Sequence, residues 1–448
     1  MKTNITQYLK SKKPTSDDDD TNDQTSLSLS STDLASHDDV LTEILLRLPI
    51  RSLLRSKCVS KHWKLLISDS RFALARNPNP NPPSGLFLQR FGNVSCPEYE
   101  FVCFDRDKNV KPPFKRLNYD GYLSNLSNLS NSSSSKNSTH SGVIVLQSCN
   151  GLMLCYSLNE YFCNVTKDIE YNASYYVYNP TINQVVKLPN LHGCDWIRRR
   201  PRGMTLVFDP VKSGCYKVVC VRAHLWSDHV YTIEVYSSET GKWRMFGTPC
   251  GNQVDTEFMG GVYWNGAVHW VNKKGYVLYL KIDEDRVDRV ATPVVHDGWN
   301  VKKHCYPIVE SNDCLLFIDI FPASSLKLDI YEMNRDYSGW SVKYHVDLNR
   351  VMSRFPETDV IIRALRSLMS AQPFVIHCFV EGEGEDEAFL VLEIPGKAVR
   401  YNIFSKTYQE LCDLDVSKPS RLSVADDGFS KLGRWPGAFL FFESLSNV

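Results

Sequence analysis

The spacing of hydrophobic positions changes twice along this chain. Residues 1–35 have no period: they are rich in Ser, Thr, Asp and Lys, with an acidic run from Asp17 to Asp20. So little apolar surface does not offset the entropy of ordering, and the segment reads as a disordered arm. From 36 to 76 the apolar residues fall at helical spacing. Val40, Ile44 and Leu48 recur at i, i+4 and i+8, with Leu41 and Leu45 in a row alongside. Ser36 is placed to cap this helix, Asp38 and Asp39 suit its positive end, and Pro49 stops it. A short second helix over Ile50–Lys57 carries Leu53 and Leu54. Ser60 then caps a third, whose face holds Trp63, Leu66 and Ile67. The run N-P-N-P-N-P-P from Asn77 to Pro83 cannot continue a helix, so 77–84 reads as an extended linker and a domain boundary.

Residues 85–445 have β texture: short runs of Val, Ile, Tyr, Phe and Trp separated by Gly, Pro, Asn and Asp. In GGVYWNGAVHWV, Gly260 to Val271, Asn265-Gly266 supplies the two positive-φ residues of a type I′ turn, which predicts a hairpin. MTLVFDPVKSGCYKVVCVR is a second hairpin candidate. A looser unit recurs, in which an aromatic or Leu ends one strand and an apolar residue restarts the next about seven positions on. Tyr178 leads to Val185, Tyr236 to Trp243, Leu280 to Val287 and Tyr401 to Tyr408, while Tyr331 leads to Trp340 through a longer turn. Units recurring at intervals of this kind predict five to seven propeller blades. Strand spacing alone leaves an irregular pair of β-sandwiches as the alternative. Three segments depart from the β pattern. The Ser/Asn tract, taken as 121–142, reads as a solvated, disordered loop. ETDVIIRALRSLMS from Glu357 places Ile361, Leu365, Leu368 and Met369 at helical spacing, and EGEGEDE from Glu381 reads as a charged hairpin tip.

The 51 basic and 51 acidic side chains cancel. That balance argues against nucleic-acid binding by bulk charge, which rests on a surplus of Lys and Arg. The start of the chain shows no apolar stretch of a signal peptide, and no run reaches the roughly 20 apolar residues that span a bilayer. These features lead us to expect a soluble protein of the cytoplasm, the nucleus or both, with no membrane partner. None of the fourteen cysteines forms a C-x-x-C pair, and Cys155, Cys220, Cys314 and Cys378 fall in apolar strand-like runs, as buried reduced thiols do. Common nucleophile, zinc-protease and phosphate-loop motifs are missing, His224 and His229 lack helical metal-site spacing, and His269 reads as a strand residue. We therefore expect no catalytic residue, no metal and no cofactor.

Three helices in about 40 residues make too small a core to stand alone, and their apolar stripe is wider than that core needs. A helix-in-groove contact with another protein is the natural way to bury the surplus; docking on the β region is the alternative, and the stiff Pro-rich linker argues against it. The residues DDVLTEILLRLPIRSLLRSKCVSKHWKLLISDSRF resemble an F-box. The β region resembles the F-box-associated domain of plant F-box proteins through SCNGLMLC (Ser148 to Cys155), YNPTINQVVKLP (Tyr178 to Pro189), VFDPVKSGCYKVVCV and GGVYWNGAVHWV. The fold the resemblance implies is α+β and multidomain, a small three-helix F-box followed by an all-β, kelch-like propeller domain. It implies a substrate-recognition subunit of a Skp–cullin–F-box ubiquitin ligase rather than a catalyst. Its partners would be a Skp-type adaptor, through it a cullin–RING core, and a protein substrate. Carried over by position, Val40, Leu41, Ile44, Leu45, Leu48, Pro49, Leu53, Leu54, Val59 and Trp63 would form or support the Skp-facing surface. Ser36 and His37 stand where the family has Leu-Pro. A propeller that binds a protein or small ligand without a cullin complex is the alternative function. For substrate, Cys194 to Gly203 offers Trp196 with Arg198, Arg199, Arg200 and Arg202, residue types favoured at binding hot spots and suited to an acidic or phosphorylated segment.

Overall fold

The alternation of short apolar runs and Asn, Gly and Asp turns folds into six antiparallel sheets. The computed structural model describes residues 31–76 and 82–448 apart from 91–97, 105–142, 164–167, 192–200, 225–226, 247–249, 252–255, 257, 273, 294–307, 321–325, 356–373, 383, 385, 395 and 415–436. The arm before residue 31, most of the Pro-rich segment, the Ser/Asn tract and the helix expected from Glu357 lie outside these residues.

Strands β1 (Gly85–Arg90) and β2 (Glu98–Cys103) belong to blade 1. Blade 2 is β3 (Val143–Cys149), β4 (Leu152–Cys163), β5 (Asp168–Asn179) and β6 (Gln184–Lys187). Blade 3 is β7 (Pro201–Val207), β8 (Lys217–His224), β9 (Ser227–Ser237) and β10 (Lys242–Met245), with β11 (Cys250–Gly251) also on β9. Blade 4 is β12 (Val262–Trp264), β13 (Ala267–Asn272), β14 (Tyr276–Lys281) and β15 (Arg286–Ala291). Blade 5 is β16 (Ile308–Ser311), β17 (Cys314–Asp319), β18 (Lys327–Met333) and β19 (Trp340–Asp347). Blade 6 is β20 (Val375–Glu381), β21 (Ala388–Ile394), β22 (Lys397–Asn402) and β23 (Tyr408–Asp413). The C-terminal β24 (Ala438–Phe441) pairs with β1, so blade 1 is assembled from both ends of the propeller.

The inner strands touch in the order β24, β3, β7, β12, β16, β20 and back to β24, which closes a ring. Their C-terminal ends lie side by side. Ser148 Oγ donates to Leu440 O (2.5 Å), Asn150 Nδ2 to Phe208 O (2.8 Å), Trp264 Nε1 to Asp313 O (2.8 Å) and Glu381 N to Ser311 Oγ (2.9 Å). Apolar burial follows the same plan: six clusters fill the six spaces between neighbouring blades. A ring of sheets packed face to face explains the texture of the sequence. Middle strands such as β13 and β21 are covered on both faces and read as nearly continuous apolar runs, whereas the outer β15 faces water and reads as RVDRVA. The six-bladed propeller falls within the expected five to seven and removes the sandwich alternative.

The recurring unit is the outer hairpin of a blade. Tyr178 pairs with Val185, Tyr236 with Trp243, Leu280 with Val287 and Tyr401 with Tyr408. In the fifth unit the register differs: Trp340 pairs with Met333, and Tyr331 with Val342, because the strands run two residues further before the turn. The Asn265-Gly266 hairpin forms as expected, with φ of 50° and 76°. The run from Glu381 is a hairpin tip, closed by Gly382 N donating to Glu387 O (2.9 Å).

Packing divides the chain into two units, Met1–Arg47 and Leu48–Val448. The first holds α1 (Ser31–Leu46). The second holds α2 (Ile50–Ser56), α3 (Lys61–Ser68), α4 (Ser70–Arg76), the propeller and a one-turn helix α5 (Asn349–Met352) after β19. Two expectations are corrected. Ser36 is not an N-cap but lies inside α1, which begins five residues earlier. No proline fixes a start at position 37, and Leu34 and Ala35 are good helix formers, so the helix runs on backwards. The helical segment also has a fourth helix. Asp69 interrupts it with ψ of 135° and its carboxylate accepts from Arg71 N (2.8 Å), which starts α4.

Candidate functional site

The local chemistry of the helical segment orients its apolar residues. On α1, Val40 and Ile44 share a row one turn apart, and both stand in water, 61% and 55% exposed. The neighbouring row turns inward: Leu41 is half-buried and Leu45 is 0% exposed. Pro49 separates α1 from α2. Its extended backbone (φ −57°, ψ 147°) ends the first helix, and its carbonyl accepts from Ser52 N (2.9 Å) and Leu53 N (3.1 Å) to begin the second. Leu53 is buried, Leu48 and Leu54 half-buried, and Pro49 exposed. Two tight turns, Cys58 N to Arg55 O (3.0 Å) and Val59 N to Ser56 O (3.0 Å), hold Val59 outward at 64% exposure. Ser60 caps α3 as expected, accepting from Trp63 N (3.1 Å), and Trp63 lies half-buried. Burial, and after it the charge of Lys64, lowers the pKa of Lys57 below the ordinary lysine value.

Of the ten residues carried over for an adaptor surface, Leu45 and Leu53 are thus core residues, while Val40, Ile44, Pro49 and Val59 are exposed. Leu65 on α3, 73% exposed, is a presented apolar residue that the sequence pattern did not single out. The signal was there in the lone Leu on the polar side of KHWKLLIS, one position before the buried face.

On the propeller, the C-terminal ends of the inner strands gather a titratable cluster. Burial pushes the Glu310 carboxyl up to about 7. The backbone N–H of Asp313 opposes this by donating to Oε1 (2.9 Å), and the charges of Asp313 and Asp209 add to the rise. Cys149 and Tyr263 beside them are held neutral, pushed up to about 12, in each case mainly by burial. Gln147 joins three blades, its Nε2 donating to Gly261 O (3.1 Å) and its Oε1 accepting from Leu206 N (2.8 Å). His269 is a buried strand residue as expected. Its Nδ1 donates to Val262 O (3.2 Å), so Nε2 accepts from Tyr337 OH (2.9 Å), and burial lowers its pKa to about 4. Among the described residues, no group of three or more His, Cys, Asp or Glu is arranged to hold a metal ion. No helix described is long and apolar enough to cross a membrane.

Of the residues suggested for substrate, Trp196, Arg198, Arg199 and Arg200 lie outside the described residues. Arg202 is not in a loop. It is the second residue of the inner strand β7, exposed at the end of the ring where the inner strands begin. Cys155, Cys220 and Cys378 are buried within strands, and Cys314 is half-buried.

A family model described as "F-box protein At3g26010-like, beta-propeller" matches residues 122–360, and one described as "F-box domain" matches residues 37–74. The β region therefore matches under a propeller description rather than under the F-box-associated one. Among curated relatives from Arabidopsis thaliana, the F-box protein At5g07610 is 32% identical over 436 residues, covering 94% of each chain. The F-box protein At5g49610 is 25% identical over 71% of this chain and 81% of its own. The F-box/kelch-repeat protein At3g23880 is 28% identical over 52% and 57%.

Proposed function

Because this chain belongs to the F-box proteins that carry a β-propeller, we propose that it is the substrate-recognition subunit of a Skp–cullin–F-box ubiquitin ligase. The family is of the adaptor type and is not an enzyme family. In this reading the helical segment docks on a Skp-type adaptor that sits on a cullin–RING core, and the propeller holds a protein for ubiquitination. The observation that carries it is the pair Val40 and Ile44, a row of α1 left in water within the F-box match. Two branched apolar side chains one turn apart are what a helix offers to an apolar groove.

The test is capture of a purified Skp-type adaptor by the full chain, with V40D/I44D as the control. The wild type is expected to capture it and the double variant to lose it, because two carboxylates would enter an apolar contact without partners. If the wild type captures no adaptor, or the variant captures it equally, this reading fails, and the propeller stands as a binding module that works without a cullin. The substrate end is the one where the inner strands begin, with Arg202 and the preceding Trp196, Arg198, Arg199 and Arg200 reading an acidic or phosphorylated segment. Reversing these charges is expected to change the set of captured proteins, and an unchanged set ends that part of the proposal. Action in the cytoplasm or the nucleus fits this role.

A further inference from the structure

The chain continues past the strand that closes the ring. β24 ends at Phe441, yet Ser444, Leu445 and Ser446 are buried. Nothing in ring closure requires these residues, and their partners fall in two groups.

One group is the outer edge of blade 2. Asn179, fully buried at the end of β5, donates through Nδ2 to both Ser444 O (3.1 Å) and Ser446 O (2.7 Å), while its Oδ1 accepts from Thr181 N (2.9 Å). Thr181 Oγ1 accepts from Ser444 N (3.1 Å), Ser444 Oγ from Ser446 N (3.2 Å) and Gln184 Oε1 from Val448 N (3.3 Å). Side chains of blade 2 thus answer Ser444 N, Ser444 O, Ser446 O and Val448 N, although the tail forms no strand. Gly151 makes room for it: the residue sits at φ +92° and a Cβ there would overlap that of Ser444.

The other group is the helical segment. Asn447 Nδ2 donates to Ser68 O (3.2 Å), the carbonyl of the last residue of α3. Glu443 is buried enough for its pKa to rise, and the charges of Arg76 on α4 and Arg51 on α2 oppose that rise. The tail thus bonds the end of α3 on one side and blade 2 on the other, and Glu443 lies in the field of Arg51 on α2 and Arg76 on α4.

We propose that Glu443–Val448 is a strap that locks α2–α4 to blade 2. Resting on the function proposed above, its role is to hold the part of the docking surface that α2–α4 carry, with Val59 and Leu65 exposed, at a fixed orientation to the substrate-binding end of the propeller. A ubiquitin ligase must bring its substrate to a distant transferring enzyme, so a floppy joint here would spread the substrate over a volume instead of presenting it at one place. The chain from α4 to β1 is one covalent link between the helices and the propeller, and the tail is a second attachment.

The test is hydrogen exchange on the full-length chain, which needs neither adaptor nor substrate. E443Q/N447A removes the Asn447–Ser68 bond and the Glu443 charge that faces Arg51 and Arg76, and leaves the Asn179 network intact. Its α2–α4 amides are expected to exchange about tenfold faster, the factor that the loss of roughly one to two hydrogen bonds gives, with the propeller strands unchanged. N179A attacks the other attachment and is expected to speed exchange in the same helices. If E443Q/N447A leaves α2–α4 as protected as in the wild type, the strap is overturned. N179A that loosens the blades throughout would point to a role in the ring alone and also count against it. A chain that shows the exchange effect but captures no Skp-type adaptor keeps the strap and removes the function proposed for it, so the two readings fail separately.

Discussion

The indole Nε1 of Trp243, on the outer strand of blade 3, donates to the carbonyl of Pro189 just past the outer strand of blade 2 (2.8 Å). Trp340 repeats the arrangement two blades later, donating to Ala291 O at the end of β15 (2.8 Å). Each indole stitches its own outer hairpin to the preceding blade, so the rim of the ring is held by directed bonds as well as by the apolar clusters inside. Trp243 is buried and packs on Tyr236, with ring centroids 5.5 Å apart. W243F is expected to lose about 1–2 kcal/mol through the orphaned carbonyl and W243A about 3–5 kcal/mol, read from urea denaturation. The Trp340 bond is exposed, so W340F should cost less than W243F.

The two rows of α1 give opposite outcomes for one kind of substitution. L45D introduces a carboxylate at a fully buried position and is expected to destabilise the helical segment by several kcal/mol, seen as lost helical circular dichroism. V40D changes an exposed residue and should leave the melting temperature within about 1–2 °C of wild type, since surface changes fall within about 0.5 kcal/mol. A destabilised V40D would show that this face is not free.

Stability should depend on pH through Glu310. Its folded pKa is raised to about 7 from 4.5, so the folded chain binds the proton more tightly than the unfolded chain. The contribution is fully present below pH 4.5 and is lost as pH rises through about 7. E310Q keeps an oxygen for Asp313 N and removes the charge. It should match wild type near pH 4 and exceed it at pH 8 by on the order of 1–3 kcal/mol. Equal urea midpoints at pH 8 would refute this. His269 acts in the opposite direction: with its pKa lowered to about 4, its contribution is present above pH 6.5 and is lost as pH falls through about 4.

Two turn glycines separate backbone strain from overlap. Gly266 has φ +76° with open space around its Cβ direction, so G266A should cost only the strain of a left-handed Ala, about 1 kcal/mol. Gly151 combines φ +92° with Ser444 lying against it, so G151A should cost more and should also speed exchange in the C-terminal tail. Equal costs would mean that the tail moves aside freely.

What the sequence determined by itself is what depends on near neighbours. The Ser60 cap, the break at Pro49, the Asn265-Gly266 turn and four of the five outer-hairpin registers follow from residues a few positions apart, whose bonds cost little chain entropy to form. The F-box pattern was legible for the same reason, being two rows of apolar residues on short helices. The exposed row was not distinguishable from the buried one, because Val40 and Leu45 are equally apolar and only packing tells them apart. Tertiary structure alone decided that Ala438–Phe441 closes a blade opened at Gly85, that six interblade cores complete a ring, and that Asn447 reaches Ser68. Those partners stand hundreds of residues apart. No local pattern encodes such a pairing, since it becomes favourable only once the intervening blades have already brought the two ends together.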